Sequence, residues 1–355
     1  QADGIAAQTV TAALTPDGRR LTTVHADGTA TVWDVSDRAR PVERATVRVR
    51  EGDIGMAAVS PAGDVIAAGG LTDGARVTIT DVSDPSAPEP LGGVPGGEPD
   101  GRMTFSPDGR TLALDVGAYA VMLWDITGPH RPSPVSLLDG RDWVEAITYS
   151  PDGRTVAVGE GRSAVLWDVT DQAKPVRLAT LEGHSDAVLT AAFSPDGRTL
   201  ATGSADRTTA VWNLAGRARR QAILTGTRAP VWSVAFGPDG RTLLTGSRDG
   251  SVAFWDVGEP SGPIRMTSMR RASLGSKSLL PHPDGRTLTA GGGEPGGRRA
   301  VLWDYSSLIA LRDEPAAVAC RAAGGSFPPD EWAAYLPEAA YQPVNSVPSA
   351  ARIAR

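Results

Sequence analysis

A short turn that recurs at nearly constant spacing constrains the fold of this chain more than any other feature. Pro-Asp-Gly, or once Pro-Ala-Gly, stands at seven positions whose prolines are 45, 46, 44, 44, 43 and 45 residues apart. These prolines are Pro16, Pro61, Pro107, Pro151, Pro195, Pro238 and Pro283. A period of this length predicts a repeat architecture, in which each unit packs against its neighbours.

A second marker keeps the same period. Trp-Asp, or a variant of it, follows every turn, at Trp33, Thr80, Trp124, Trp167, Trp212, Trp255 and Trp303. Apolar runs of strand length surround both markers, such as Leu189 to Phe193 before a turn and Val176 to Leu181 after a Trp-Asp. Pro-Asp-Gly suits a hairpin, because Pro presets φ and Gly accepts a positive φ. Each repeat is therefore predicted to form four antiparallel strands.

Such a sheet is apolar on both faces, so several sheets must pack together to bury them. The Trp-Asp marker and the Pro-Asp-Gly turn together resemble the WD-repeat family over about residues 4 to 305. The resemblance implies an all-β fold, a seven-bladed β-propeller of four-stranded antiparallel blades. We expect the propeller to occupy residues 1–305 and a short C-terminal helical tail to occupy residues 306–355.

The composition narrows the function. Lys and Arg total 35 against 41 Asp and Glu, a formal charge of -6 that argues against nucleic acid or an anionic membrane as partner. No apolar run reaches the length of a membrane span. Cys320 is the single cysteine, which excludes an internal disulfide, and no targeting signal is visible in the first residues. We expect a cytoplasmic protein, and the absence of an initial Met suggests a processed or excised chain.

The resemblance also implies a buried hydrogen-bonded tetrad in one repeat. In the family, such a tetrad of His, Ser or Thr, Asp and Trp often holds a repeat together. The fifth repeat matches all four positions, with His184, Thr202, Asp206 and Trp212. Repeats one and six keep the Asp and the Trp but carry Ile5 and Thr227 in place of the His. We therefore interpret His184 as structural rather than as a metal ligand or a base.

Catalytic chemistry has little support in the sequence. The residues five and six positions before each turn proline should lie near the mouth of the central channel, and among them Arg102 and Glu145 alone carry charge. Acid-base or metal chemistry needs several convergent titratable groups. The four histidines show no zinc spacing, and no phosphate-binding loop is present. We predict no catalytic residue, cofactor or metal; the alternative is an enzyme or small-molecule binder that uses the channel.

Two tryptophans are not explained by the repeat. Trp143 and Trp232 each precede or begin an innermost strand, at the end opposite the Pro-Asp-Gly turns. Charged residues lie beside them, namely Arg141, Asp142, Glu145 and Arg228. Aromatic and Arg side chains are enriched at binding hot spots, so we predict that this rim binds a protein or peptide partner. The alternative is that either Trp folds inward, into the channel or between blades.

The opposite rim carries a basic residue after the turn glycine in six repeats, at Arg19, Arg110, Arg154, Arg198, Arg241 and Arg286. An anion-binding circle is one interpretation. We favour a solvated rim, because an Asp stands two residues before each Arg and offsets its charge.

The tail departs from the repeat. Asp313 to Gly325 and Asp330 to Leu336 have the termini of two short helices, and the segment after about residue 344 is expected to be mobile. The pattern from Cys320 to Pro343 resembles the end of many actinobacterial WD-repeat proteins. In those proteins the propeller is commonly the sensor of a larger signalling chain, so the resemblance implies a bacterial interaction or signalling scaffold.

The last blade leaves its outermost strand open. Alignment of the first turn with the fifth places Gln1 where a fourth strand is ending. That strand is either supplied by sequence upstream of residue 1 or donated by Ser306 to Leu311.

Overall fold

The computed structural model describes residues 9–37, 40–70, 76–96, 101–117, 119–127, 132–258, 262–270, 278–291 and 301–313. The chain divides into two compact units, Gln1–Trp303 and Asp304–Arg355. The first unit is a seven-bladed β-propeller, so the predicted fold class is confirmed. The described part of the second unit contains a helix, α1, at Ser306–Asp313.

The first six blades are antiparallel sheets of four strands, which follow one another in chain order from the innermost to the outermost. The strands of blades 1–3 are β1 Thr9–Leu14, β2 Arg20–His25, β3 Thr29–Asp34, β4 Val42–Arg48, β5 Ile54–Val59, β6 Val65–Gly70, β7 Val77–Asp81, β8 Glu89–Val94, β9 Met103–Phe105, β10 Thr111–Asp115, β11 Ala120–Asp125 and β12 Ser133–Asp139. Those of blades 4–6 are β13 Val144–Tyr149, β14 Thr155–Glu160, β15 Ser163–Asp168, β16 Val176–Glu182, β17 Val188–Phe193, β18 Thr199–Ser204, β19 Thr209–Asn213, β20 Arg219–Leu224, β21 Val231–Phe236, β22 Thr242–Ser247, β23 Ser251–Asp256 and β24 Ile264–Arg270. Blade 7 has three described strands, β25 Ser278–Pro281, β26 Thr287–Gly291 and β27 Val301–Asp304.

The core lies between neighbouring blades, because each sheet is apolar on both faces. Strand β10 is an example, since all five of its residues are buried. Leu112 and Leu114 pack in a cluster with blade 2, whereas Ala113, on the other face, packs with blade 4. Successive side chains of a strand point to opposite faces, so a continuous apolar run is what a strand between two other sheets requires.

Each Pro-Asp-Gly turn is fixed by local hydrogen bonds. In blade 4 the Ser150 hydroxyl donates to Asp152 Oδ1 at 2.6 Å, and the backbone N–H of Arg154 donates to the same oxygen at 3.1 Å. These bonds hold the pKa of Asp152 below its ordinary value. Gly153 has φ +70°, a conformation that side chains disfavour, and it faces Pro107 of the previous turn.

The innermost strands form a closed ring. Strands β1, β5, β9, β13, β17, β21 and β25 each lie beside the next, and β25 lies beside β1. The ends of these strands therefore surround one axis, which places residues from distant parts of the chain around a common channel.

One of the two alternatives for the outer strand of the last blade is wrong. Residues Ser306 to Leu311 lie in helix α1 and do not form its outer strand. The N–H of Ser306 donates to Asp304 Oδ1 at 2.8 Å, and the segment that follows is rich in Leu, Ala and Arg, which favour helix. The two helices predicted further along the tail lie outside the described residues, apart from Asp313, which ends α1.

Candidate functional site

A cavity of about 700 Å³ lies on the propeller axis. It is lined by residues of the innermost strands of blades 1–6 and the segments just before them, together with Ala26 from the turn between β2 and β3. The positions selected by their distance from the turn proline lie in this wall in all six blades, with the exception of Ser233. The corresponding positions of blade 7, Gly275 and Ser276, lie outside the described residues.

A β-bulge in five innermost strands brings side chains to this wall. At each bulge one residue is skipped in the pairing with the second strand, and the skipped residues are Val10, Gly55, Glu145, Leu189 and Trp232. A bulge leaves its extra residue unpaired and changes the direction of the side chain. All five residues line the cavity. In these five blades the bulge therefore brings one further side-chain position to the channel.

Arg102 and Glu145 form a pair across blades 3 and 4 in the channel wall. Nη2 of Arg102 lies 3.0 Å from Oε2 of Glu145, and its Nε donates to the Glu145 carbonyl at 2.8 Å. The two side chains are 42% and 37% exposed. Each charge is offset by its partner, so the pair stabilises the wall and is a weak candidate for acid-base chemistry.

Trp232 lies at the wall of the same cavity. Its ring is partly buried, and the guanidinium carbon of Arg248 lies 5.4 Å from the ring centroid. Arg248 belongs to the turn between β22 and β23, and its side chain is exposed. Trp232 is therefore turned toward the channel, which is the alternative stated for it from the sequence. The stacked Arg248 places a cation beside its ring.

Trp143 is exposed to solvent. The residue is 56% exposed, and its ring meets the ring of Tyr119 edge to face, with centroids 5.4 Å apart and planes at 87°. Tyr119 lies in the turn between β10 and β11, has φ +67° and is itself exposed. The loop before Trp143 is tied to this turn, because Gly140 N donates to the Tyr119 carbonyl at 3.0 Å. Two loops from adjacent blades thus present one aromatic pair.

The other residues of the predicted surface lie on this rim or below it. Arg141, Asp142 and Arg228 are exposed, whereas Glu145 lies in the channel wall. The turns between second and third strands also reach this rim, since they lie at the same end of each sheet. We define the recognition rim as Tyr119, Arg141, Asp142, Trp143, Arg228 and Trp232. Sequence reasoning missed Tyr119 and Arg248, although both stand in the turn that follows a second strand.

The four residues of the predicted tetrad lie together in blade 5. His184 Nε2 is 2.8 Å from the Thr202 hydroxyl, which accepts from Trp212 Nε1 at 2.9 Å. On the other side His184 Nδ1 is 3.0 Å from Asp206 Oδ2. Burial opposes ionisation of Asp206, but hydrogen bonds from Thr208, Ser185 and His184 outweigh it and lower the carboxyl pKa. These contacts leave His184 no open position for a ligand.

Blade 1 contains a different arrangement around its Trp. Trp33 Nε1 donates to the Thr23 hydroxyl at 3.3 Å, and that hydroxyl lies 3.2 Å from His25 Nε2. Nε2 of His25 is also 3.2 Å from the Thr31 hydroxyl. Burial lowers the pKa of His25, which favours the neutral ring. A histidine from the second strand therefore contacts the Trp-bound hydroxyl in a repeat that has Ile5 at the usual position.

Blades 3 and 4 have no such acceptor. Leu114 in blade 3 and Val158 in blade 4 occupy the position of Thr202 in blade 5. Because neither has a hydroxyl, the buried indole N–H groups of Trp124 and Trp167 have no partner among the described residues. A buried donor without an acceptor costs about 1–3 kcal/mol. These two blades depend more on apolar packing than blade 5 does.

No group of three His, Cys, Asp or Glu side chains in the described ranges is arranged to hold a metal ion. In the part of the chain that the structure describes, no helix has the length and hydropathy of a membrane span.

Three parts of the chain match the family model described as WD domain, G-beta repeat, at residues 132–168, 175–213 and 218–256. A search of curated proteins found no match. The protein is thus a seven-bladed propeller that contains three WD40 repeats, a fold that typically serves as a protein-interaction scaffold. Trp143, Trp232 and the tetrad all lie within the matched segments.

Proposed function

We propose that the propeller is a non-enzymatic recognition module that binds a peptide segment of a partner protein at the recognition rim. The 56% exposure of Trp143 is the observation that carries this proposal. A large aromatic side chain is normally buried, and a fixed aromatic anchor with Arg beside it is typical of a binding hot spot.

The geometry around Trp143 supports a preformed contact. Its edge-to-face packing on Tyr119 restricts both rings before a partner arrives, which reduces the entropy lost on binding. Tyr119 holds a positive φ where glycine would be unstrained, and strained residues of this kind cluster at functional sites. The aromatic pair therefore has a rationale in binding that folding alone does not provide.

The charged groups of the channel favour binding over catalysis. Arg102 and Glu145 are engaged with each other, and the rest of the described wall is mostly apolar or hydroxyl-bearing. The alternative function is a small-molecule binder or an enzyme that uses the channel, because about 700 Å³ is within the range of ligand sites.

We further propose that the module belongs to a larger bacterial signalling protein of the cytoplasm. The support is the resemblance of the tail, from Cys320 to Pro343, to the ends of actinobacterial WD-repeat proteins.

A displayed library of random peptides tests the proposed function. We expect the wild-type chain to enrich a set of peptides, and a variant with Trp143→Ala, Trp232→Ala and Arg228→Ala to lose them while its circular dichroism is unchanged. Leu178→Ala is the matched control, because Leu178 is similarly exposed, at 55%, but lies on the outer strand β16.

Retained enrichment by the triple variant, or no enrichment by the wild type, would contradict the proposal. Small-molecule binding in the channel would instead appear as ligand-induced thermal stabilisation that is insensitive to Trp143→Ala.

A further inference from the structure

Three arginines lie on three connected loops of blades 5 and 6. Arg207 is in the turn between β18 and β19, Arg228 in the connection from β20 to β21, and Arg248 in the turn between β22 and β23. The Thr227 hydroxyl donates to the Arg207 carbonyl, and Arg248 N donates to the Pro230 carbonyl at 2.9 Å. The connection that carries Arg228 is therefore bonded to both turns, which keeps the three loops on one side of the propeller.

The guanidinium groups of this set are available to a ligand. All three residues are exposed, and no ion pair joins them to a carboxylate in the part of the chain that the structure describes. Arg248 lies over the face of Trp232, which orients the planar group and leaves its N–H donors at the edge. An oriented guanidinium loses less entropy when it forms a bidentate contact.

The carboxylates in the same turns are held by other donors. Asp206 accepts hydrogen bonds from Ser185 N and from the Thr208 N–H and hydroxyl, at 2.7 to 2.9 Å. Asp249 accepts from the hydroxyls of Ser247 and Ser251. Both acidic groups contribute to turn geometry, so the outward-facing part of these loops is basic although the whole chain has a charge of -6.

Arg207 holds a strained backbone. Its φ is +70°, and the matching position is Gly28 in blade 1 and Gly250 in blade 6, with φ +87° and +78°. This conformation costs free energy for a residue that has a Cβ, whereas glycine adopts it without strain. An arginine at this place is therefore not explained by the turn.

We infer that Arg207, Arg228 and Arg248, together with the Trp232 ring, form an arginine surface that binds the carboxylate of an acidic residue in the partner peptide. This inference rests on the proposed function and adds the chemistry of the partner. A carboxylate suits the planar, bidentate geometry of Arg. The charge of -6 and the Glu145 side chain in the neighbouring channel wall oppose an extended polyanion such as nucleic acid, which favours a short acidic peptide.

The test uses peptides selected by the full chain from the displayed library. We expect Asp or Glu to be enriched at one or two positions. Replacement of that residue by Gln in a fluorescein-labelled peptide should weaken binding about ten-fold or more, measured by anisotropy at low salt. The double variant Arg228→Gln and Arg248→Gln should bind the acidic peptide about as weakly as wild type binds the Gln peptide. Arg154→Gln with Arg198→Gln removes the same charge on the opposite rim and should have little effect.

Arg207→Gly sharpens the test, because it removes the guanidinium and the strain together. We expect weaker binding of the acidic peptide with a melting temperature that is unchanged or raised. Equal affinity for the Glu and Gln peptides would overturn the inference and leave the proposed function intact, as would a stronger preference for phosphoserine in the same position. If no peptide is selected at all, the proposed function fails and the inference with it.

Discussion

Blades 4 and 5 are adjacent and have the same four strands, but different hydrogen bonds hold the end of the sheet near the recognition rim in the two blades. Blade 5 has His184 bonded between Asp206 and Thr202. Blade 4 has Gly140 at the position of His184 and Val158 at the position of Thr202. A Cβ on Gly140 would lie 3.1 Å from the carboxyl carbon of Glu160, so a buried carboxylate occupies the space beside this glycine.

The difference shows where the sequence is free to change. The interior of both blades is secured by packing against neighbouring blades, so the tetrad is an addition to stability and not a condition of the fold. In blade 5 the loop before the first strand is fixed by His184. In blade 4 the corresponding loop bonds instead to Tyr119 and presents Trp143. Of the two blades, the one without the tetrad carries the exposed Trp143.

The largest expected effect comes from Thr202→Val, which makes blade 5 resemble blade 4. The change leaves Trp212 Nε1 without its acceptor and removes a partner of His184. Two buried polar groups lose a bond, so we expect unfolding free energy to fall by about 2–3 kcal/mol, measured by urea denaturation. Thr245→Val in blade 6 is the control. The Thr245 hydroxyl accepts from the Trp255 N–H at 3.1 Å, and its loss should cost about 1 kcal/mol. Equal losses at the two sites would contradict the role given to His184.

The converse change, Val158→Thr, supplies the acceptor that blade 4 lacks. Val and Thr have nearly the same shape, and Trp167 Nε1 is buried without a partner in the described residues. We expect a gain of about 1 kcal/mol in unfolding free energy. Ala157→Ser places a hydroxyl on the other face of β14, away from the indole, and should destabilise. A loss at Val158 as large as at Ala157 would show that the acceptor is not what the site lacks.

A smaller effect is expected from Glu160→Gln. Burial raises the pKa of Glu160, and the nearest cation, Arg177 Nη2, is 3.9 Å from Oε2. The folded chain therefore holds this proton more tightly than the unfolded chain does, and stability from this group is lost as pH rises above the ordinary carboxyl value. The Gln variant should remove that loss, so its advantage over wild type should grow from acidic to neutral pH in thermal melts. An advantage that shrinks toward neutral pH would mean that Arg177 and Arg141 outweigh burial.

The sequence predicts the fold well because the fold is specified many times. Seven turns and seven Trp-Asp markers show the same period. A departure in one repeat, such as Thr80 in place of Trp, therefore does not obscure the pattern in the others. The channel positions were also predictable, since a fixed distance from the turn proline determines depth in the innermost strand.

Side-chain direction at the rim was harder to predict, because it depends on pairing and on single turns. Glu145 and Trp232 face the channel because each lies in a β-bulge, and no residue type in the sequence predicts these bulges. Tyr119 and Arg207 were missed because a positive φ is normally inferred from glycine. The alternative of an outer strand at Ser306 to Leu311 followed from the need to complete the last blade, whereas the composition of the segment favours the helix α1 that it forms.

The bulges have a consequence for how such a channel can diversify. A residue in a regular ladder must fit both the neighbouring strand and the face on which it packs. The skipped residue of a bulge is unpaired, so neither constraint applies to it. Val10, Gly55, Glu145, Leu189 and Trp232 range from no side chain to the largest, within one unchanged scaffold. Each of these five blades thus offers one position at which mutation can alter the chemistry of the lumen while the hydrogen-bonded framework stays the same. These five sites are therefore the natural ones to vary in evolving or engineering a new specificity.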